Sequence, residues 1–355
     1  MNIIPAHRML AALCLAAVFL SMKGAVWAQS QPVAVRIASV AFSQGKETVF
    51  SGMSAIIERD PILRADLQKL GARLQWIPIP PANVAATTNE AFASGGIEFA
   101  HYGDLPSVIL NAGGVETVIV SPGGGGGNVY VLVPVNSPAK SIKDLKGKRI
   151  SLHRGRPWEV PFARLLAANG LKFSDVRIKN LNPQAGASAL AAGDVEAHVA
   201  LSSDTFPLVE KGIGKILWSS KTPGQNWKIH AGLWGSRAFV QRNPAITQAL
   251  VNSHVRAAYW VSRKENLDEF LRLAARSGQP EDLIRKEYLD DSIPWKEHWS
   301  PLYSGVLEHY HGIISYSKSA GLIRKEFDAA RLIDSQFVER ALKEQKLQAY
   351  WGRKE

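Results

Sequence analysis

The chain has 355 residues, of which 46% are hydrophobic and 21% charged. That is the balance of a protein with a buried core, and it excludes an intrinsically disordered chain. At about 150 residues per domain the length allows two or three lobes. No run of about 20 residues is free of polar breaks, which excludes a multi-span membrane protein. Forty-two Lys and Arg against 31 Asp and Glu leave a formal charge of +11. These basic residues are scattered rather than blocked, so a nucleic-acid partner is not expected. Cys14 is the only cysteine, which excludes a disulfide scaffold and a Cys-ligated zinc or iron–sulfur centre.

In chain order the first element reads as a targeting segment. His7 and Arg8 precede an apolar run of 12 residues from Met9 to Leu20. Such a run is too short to cross a bilayer alone and has the length of a signal core. Val26 and Ala28 then supply small residues for cleavage before Gln29. Residues 1–28 are therefore expected to be removed. The remaining chain would lose Arg8, Lys23 and Cys14 and carry a charge of +9. A chain without thiols suits an oxidising compartment.

Residues 35–40 predict a buried strand, 50–59 a helix and 73–79 a second strand stopped by Pro80-Pro81. A short helix over 89–94 ends at Gly95-Gly96. A strand follows over 97–102, then a helix over 104–111 with an acid at its start, then a strand over 116–121. This alternation predicts parallel sheets with crossover helices. The run Pro122 to Gly127 is the strongest linker. A second α/β set follows, with strands over 128–135, 148–152, 176–181, 195–201, 215–219 and 227–232. Its helices are expected over 157–169 and 185–192, with a short helical turn over 141–147. Beyond residue 239 the apolar spacing is helical, over 244–263, 267–277, 280–288, 301–317 and 333–346. The expected divisions are a signal segment at 1–28, a first lobe at 29–122, a second lobe at 123–234, and a return to the first lobe with C-terminal helices at 235–355.

Two α/β lobes imply a cleft, and ligands of open α/β sheets bind beyond the carboxyl ends of the strands. The residues expected there are Ser43 and Gln44; His101, Tyr102, Gly103 and Asp104; Arg154, Gly155, Arg156 and Trp158; Ser202, Ser203 and Asp204; and His230. The segment from His153 to Trp158 sets two arginines beside a glycine and a helix start. A guanidinium fork matches carboxylate, phosphate or sulfonate oxygens. Asp104 also reads as a helix cap, and Trp158 and Trp234 also read as core.

Enzyme motifs are missing. There is no phosphate-binding G-x-x-x-x-G-K-[ST], no G-x-S-x-G and no H-E-x-x-H. The polyglycine leads into a strand rather than a helix, so it is no dinucleotide fingerprint. His309 and His311 stand two apart on a helix and fall on different faces, so no metal site or cofactor is expected. His101, His153 and His230 could meet in the cleft.

Three segments carry a resemblance: EAFASGGIEFAHYGDLP at 90–106, SPAKSIKDLKGKR at 137–149 and AGDVEA at 192–197. In their order and spacing the sequence resembles the periplasmic solute-binding proteins of the aliphatic sulfonate, nitrate and taurine uptake group of ABC transporters. The likeness covers most of residues 29–355. It implies a two-lobe fold like the type II periplasmic binding proteins, closing on a small oxyanion, with a helical C-terminal region. It implies a periplasmic monomer that serves a membrane permease. It carries binding roles to Ser43-Gln44, to the Tyr102–Asp104 turn, to the Gly155 loop and to Asp204. Two departures bear on the ligand. Gly155-Arg156-Pro157-Trp158 stands where sulfonate binders often have a small polar Gly-Ser-Asn-type sequence. Ser203-Asp204-Thr205 stands where they often have Trp-Asp-Pro. A desulfinase resembling this group uses a cysteine nucleophile, which a chain lacking residues 1–28 would not have. The alternatives are a secreted enzyme with His101 or His153 as general base, and a sensor that feeds a membrane receptor.

Overall fold

The computed structural model describes residues 31–222 and 227–352. The expected signal segment at 1–28 lies outside them. Strand β1 (Val33–Gln44) does not stop at residue 40. It turns at Gly45 and returns as β2 (Glu47–Phe50), with Ala41 opposite Phe50 and Gln44 opposite Glu47. This hairpin takes the start of the helix expected over 50–59, and only Met53–Ile57 is helical (α1). Helix α2 (Pro61–Lys69) starts with Pro at its first turn, and the Asp60 carboxylate accepts the Ile62 N–H at 2.9 Å. That satisfies one of the free donors of a helix start.

Strands β3 (Ala72–Ile79), β4 (Phe99–Gly103) and β5 (Thr117–Pro122) join the first sheet, with α3 (Val84–Ala93) and α4 (Asp104–Ala112) between them. The second sheet holds β6 (Tyr130–Pro134), β7 (Arg149–Ser151), β8 (Arg177–Lys179), β9 (Ala197–Ala200) and β10 (Gly214–Ser219). Its helices are α5 (Glu159–Ala168), α6 (Pro183–Ala192) and α7 (Ser202–Glu210). Strand β11 (Ala231–Ser236) re-enters the first sheet. The orders are β2-β1-β4-β11-β5, with β3 on β1, and β10-β6-β9-β7-β8. Residue 234, the expected division, lies within β11, which pairs with β4 and β5 of the first sheet.

Both sheets are mixed rather than parallel. β1 and β4 are parallel, as are β7 with β8 and with β9. β11 runs antiparallel to β4 and β5, and β6 antiparallel to β9 and β10. The cause is the crossing between sheets. A strand entered directly from the facing sheet starts where the helix-connected strands end, so it must run the opposite way.

The polyglycine is a paired crossing rather than a loose loop. Gly123 N–H donates to Ala231 O at 2.8 Å, and Gly127 and Ile229 exchange bonds at 2.8 and 3.0 Å. A Cβ at Gly126 would sit 2.7 Å from the Ile229 carbonyl, and one at Gly124 would overlap that of His298. Glycine is therefore required by close backbone approach. A buried polar knot ties both crossings to a later helix. Lys228 Nζ meets Asp291 Oδ2 and Asn128 Oδ1, each at 2.5 Å, while Tyr130 OH donates to Glu287. Fully paired, such a knot holds geometry; with one partner removed it leaves a buried charge exposed to no solvent.

Helices α8 (Arg237–Arg242), α9 (Pro244–Ser262), α10 (Leu267–Ala275), α11 (Glu281–Leu289), α12 (Val306–Ser319) and α13 (Gln336–Glu344) complete the chain. The helix expected over 301–317 starts five residues late, at Val306. Val251 and Val255 of α9 bury against one face of the first sheet, where Phe99 lies. Tyr310 and Ile314 of α12, with Leu105 of α4, cover the other face. In the second sheet α5 covers one face through Phe162 and Leu166, and Leu190 of α6 with Phe206 of α7 cover the other. No helix of the described residues is long and apolar enough to cross a membrane.

Candidate functional site

The loop after β7 turns at Gly155, where φ is 73°. Its shape is set by Glu159, fully buried in the first turn of α5. The Glu159 carboxylate accepts Gly155 N–H at 2.6 Å, Arg154 Nε at 2.8 Å and Tyr316 OH at 2.9 Å. Arg154 is thereby paired and lies over the Phe173 ring, 5.0 Å from its centre. The next arginine faces the other way.

Arg156 is 9% exposed, and its Nε and Nη1 have no hydrogen-bond partner. The guanidinium sits over the indole of Trp158 at 4.7 Å. Trp158 is itself buried in the core of the second sheet, so the cation rests on a fixed support. Burial pushes the Arg156 pKa down to about 10; Asp204 and Tyr102 act against that shift. Burial raises the Asp204 carboxyl, opposed by the Ser203 hydroxyl and by Arg156. Among the described residues Arg156 and Asp204 form no direct ion pair.

Arg156 and the first sheet's helices close a cavity of about 210 Å³. Asn83, Asn89, Pro106 and Ile109 line one side, and His153, Arg154, Gly155 and Arg156 the other. Asn89 donates to Pro106 O at 3.4 Å while its Oδ1 is buried without a partner. Tyr102, 4% exposed, has an unpartnered hydroxyl whose pKa is raised by burial and held back by Arg156. Contact across the cavity is close, since a Cβ on Gly103 would fall 2.6 Å from Pro157 Cγ. A buried guanidinium without an acid is an unfavourable arrangement. An anion supplies its missing partner, and charge-assisted bonds of that kind are strong.

Residues 80–275 match the model of the NMT1-like family. The chain belongs to the NMT1-like family. It is 43% identical to a solved structure of a periplasmic sulfonate-binding protein, SsuA, of Methylobacillus flagellatus KT, with a TM-score of 0.82, covering 91% of this chain and 97% of that one. It is 25% identical over 257 residues to the taurine-binding periplasmic protein of Escherichia coli (strain K12), which spans 69% of this chain and 78% of that protein. The desulfurization enzyme DszB shares the fold at 14% identity and a TM-score of 0.66, covering 88% of this chain and 99% of that one. The kinship and the two-sheet fold expected from the three segments are those found.

In this NMT1-like protein the expected site residues separate into groups. Tyr102, Gly103, Gly155, Arg156 and Asp204 gather at the small cavity or directly beside it. Ser202 starts α7, and Ser203 is exposed and donates to Asp204 at 3.2 Å. Trp158 is core and supports Arg156 from below. Arg154 is spent on Glu159. Asp104 is engaged within the fold: it accepts Leu105 N–H at 2.7 Å, His230 N–H at 2.8 Å and His309 Nε2 at 2.8 Å. It is a structural fastener, with most of the roughly four acceptor positions of a carboxylate taken by the protein.

The three histidines do not meet. His153 borders the small cavity, and His230 borders a larger one near the crossings. His101 turns to the opposite face of the first sheet, where Ser54 Oγ lies 2.7 Å from its Nδ1 and His254 stacks at 5.5 Å. Burial pushes His101 down to about 4. Ser43 and Gln44 sit on the exposed β1–β2 hairpin and line neither cavity. They are displaced because β1 runs on past the sheet edge instead of ending at the cleft.

Asn83, Asn89 and Glu159 were not legible as site residues. The two asparagines lie in and before a helix, α3, with no motif that marks them. Glu159 had a signal, an acid in the first turn of a helix, which is where carboxylates hold free N–H groups.

Proposed function

We propose that the chain captures a small organic oxyanion of the sulfonate type in the Arg156 cavity and passes it to the permease of an ABC importer. The carrying observation is the Arg156 guanidinium, buried, resting on Trp158 and unpaired, in a cavity lined from both sheets. Names of relatives support the same class, since one is a sulfonate-binding and one a taurine-binding protein of the periplasm. A ligand touching both halves favours their closed arrangement, which a permease can recognise. The first lobe would comprise the residues up to the polyglycine crossing and those from Ala231 onward.

Binding rather than catalysis fits the site. Ser54 and His101 form a hydrogen-bonded hydroxyl–imidazole pair, but neither borders the cavity. The protein would work as a periplasmic monomer, exported by residues 1–28. Amino-terminal sequencing of protein from the periplasmic fraction should begin at Gln29, and light scattering should give a single-chain mass. The functional test is a thermal-shift screen with ethanesulfonate, taurine, nitrate and acetate. Stabilisation by a sulfonate and not by acetate supports the proposal; no response to any sulfonate overturns it.

A further inference from the structure

A second cavity of about 1200 Å³ lies where the chain crosses between sheets, and it shares no lining residue with the Arg156 cavity. Arg164 of α5 reaches it from the second sheet. Glu308, His309 and Gly312 of α12 face it from the first, at the three- and four-residue steps of one helical stripe. Trp227 and Ile293 supply apolar wall.

Arg164 is the informative group. Among the described residues its guanidinium has no hydrogen-bond or ion-pair partner. Asp104, the acid whose charge reaches it, is already engaged by Leu105, His230 and His309. The guanidinium lies against α12 at Gly312, where a Cβ would overlap Nη2. A mid-helix glycine costs stability relative to alanine, and here it makes room for the cation. Glu297 and Glu308, the acids of the lining, are exposed. The volume exceeds what a small alkyl anion needs and lies just above the roughly 300–1,000 Å³ of drug-sized sites.

We propose that this cavity is a second binding site, for a ring-bearing organic anion such as an aryl sulfonate or aryl carboxylate, with Arg164 anchoring the acid group and Trp227 flanking the ring. Its occupant touches α5 and α12, one from each sheet, and so favours their closed arrangement.

The test is calorimetric titration of benzenesulfonate into the full mature chain carrying Arg156→Ala. That variant should still bind benzenesulfonate. Adding Arg164→Gln should weaken the binding about tenfold or more, the loss expected for a charge-assisted bond. Gly312→Ala added to the Arg156→Ala chain, which leaves Arg164 in place, should weaken it in the same direction with an unchanged circular dichroism spectrum. A silent titration of natively folded Arg156→Ala overturns the inference and leaves the Arg156 site standing. So does an Arg164→Gln affinity within about twofold of its parent. If Arg156→Ala still binds ethanesulfonate, and Arg164→Gln abolishes that, the hinge site stands and the Arg156 reading falls.

Discussion

Replacing Arg156 by alanine separates a binding role from a structural one by the signs of two effects. In the unliganded protein the guanidinium is buried, and its Nε and Nη1 lack partners. Its removal relieves that desolvation and loses the contact with Trp158, about 0.5–2 kcal/mol. The two changes oppose each other, so the variant should be as stable as the parent or slightly more so. With ligand the balance reverses. Two charge-assisted bonds of about 1.5–3 kcal/mol each are lost, which is about 3–6 kcal/mol, or two to four orders of magnitude in affinity. The assay is urea denaturation with and without ethanesulfonate. The parent at about 100 times its dissociation constant should gain about 2.7 kcal/mol, and the variant should gain nothing measurable. A variant that is several kcal/mol less stable without ligand, or one that keeps the ligand-induced gain, would refute the reasoning.

Asp204→Asn removes the acid nearest Arg156. It should tighten binding of ethanesulfonate and lower the preference for taurine, whose ammonium the carboxylate would attract; a taurine-to-ethanesulfonate ratio equal to the parent's counts against Asp204 at the site. Gly103→Ala puts a methyl where Pro157 Cγ lies 2.6 Å away. Overpacking of that kind costs about 1–3 kcal/mol, and the structure makes this contact without a ligand, so the melting point of the free protein should fall; a melting point equal to the parent's would mean that the two halves do not need this contact. Native His254 is held down to about 3 by burial first and by His101 second, against 6.5 when free. Between those values the unfolded chain binds a proton that the native one does not, so stability falls as pH drops, by about 1.4 kcal/mol per unit. His254→Gln removes this slope, and its stability relative to the parent should improve by about 2 kcal/mol from pH 6.5 to about 4.5; a constant difference across that range would place His254 outside the titration.

Much of the fold was legible because local periodicity reports which face of an element is buried. The strand at 97–102 and the helix at 104–111 match β4 and α4 within two residues, since Phe99, Leu105 and Val108 carry an unambiguous apolar pattern. The helix expected over 157–169 was readable for the same reason and is found over Glu159–Ala168. So was the kinship, which rested on the spacing of three segments. The hairpin at Gly45 was not, because residues 41–50 alternate too weakly to distinguish a strand that continues from one that stops. The sense of β6 and β11 was not readable either, since strand direction depends on which sheet the chain has just left.

For the site, the sequence alone determined that two arginines flank a glycine at a helix start, beyond the end of a strand. It did not determine which one faces the cavity, because the two guanidinia are chemically identical. Tertiary structure decided that. Glu159, buried at the start of α5, takes Arg154, and Arg156 is left over Trp158 with Asn89 and Tyr102 from the other sheet around it. Pairing of this kind depends on groups distant in sequence that meet only when the sheets pack, and no local pattern records it.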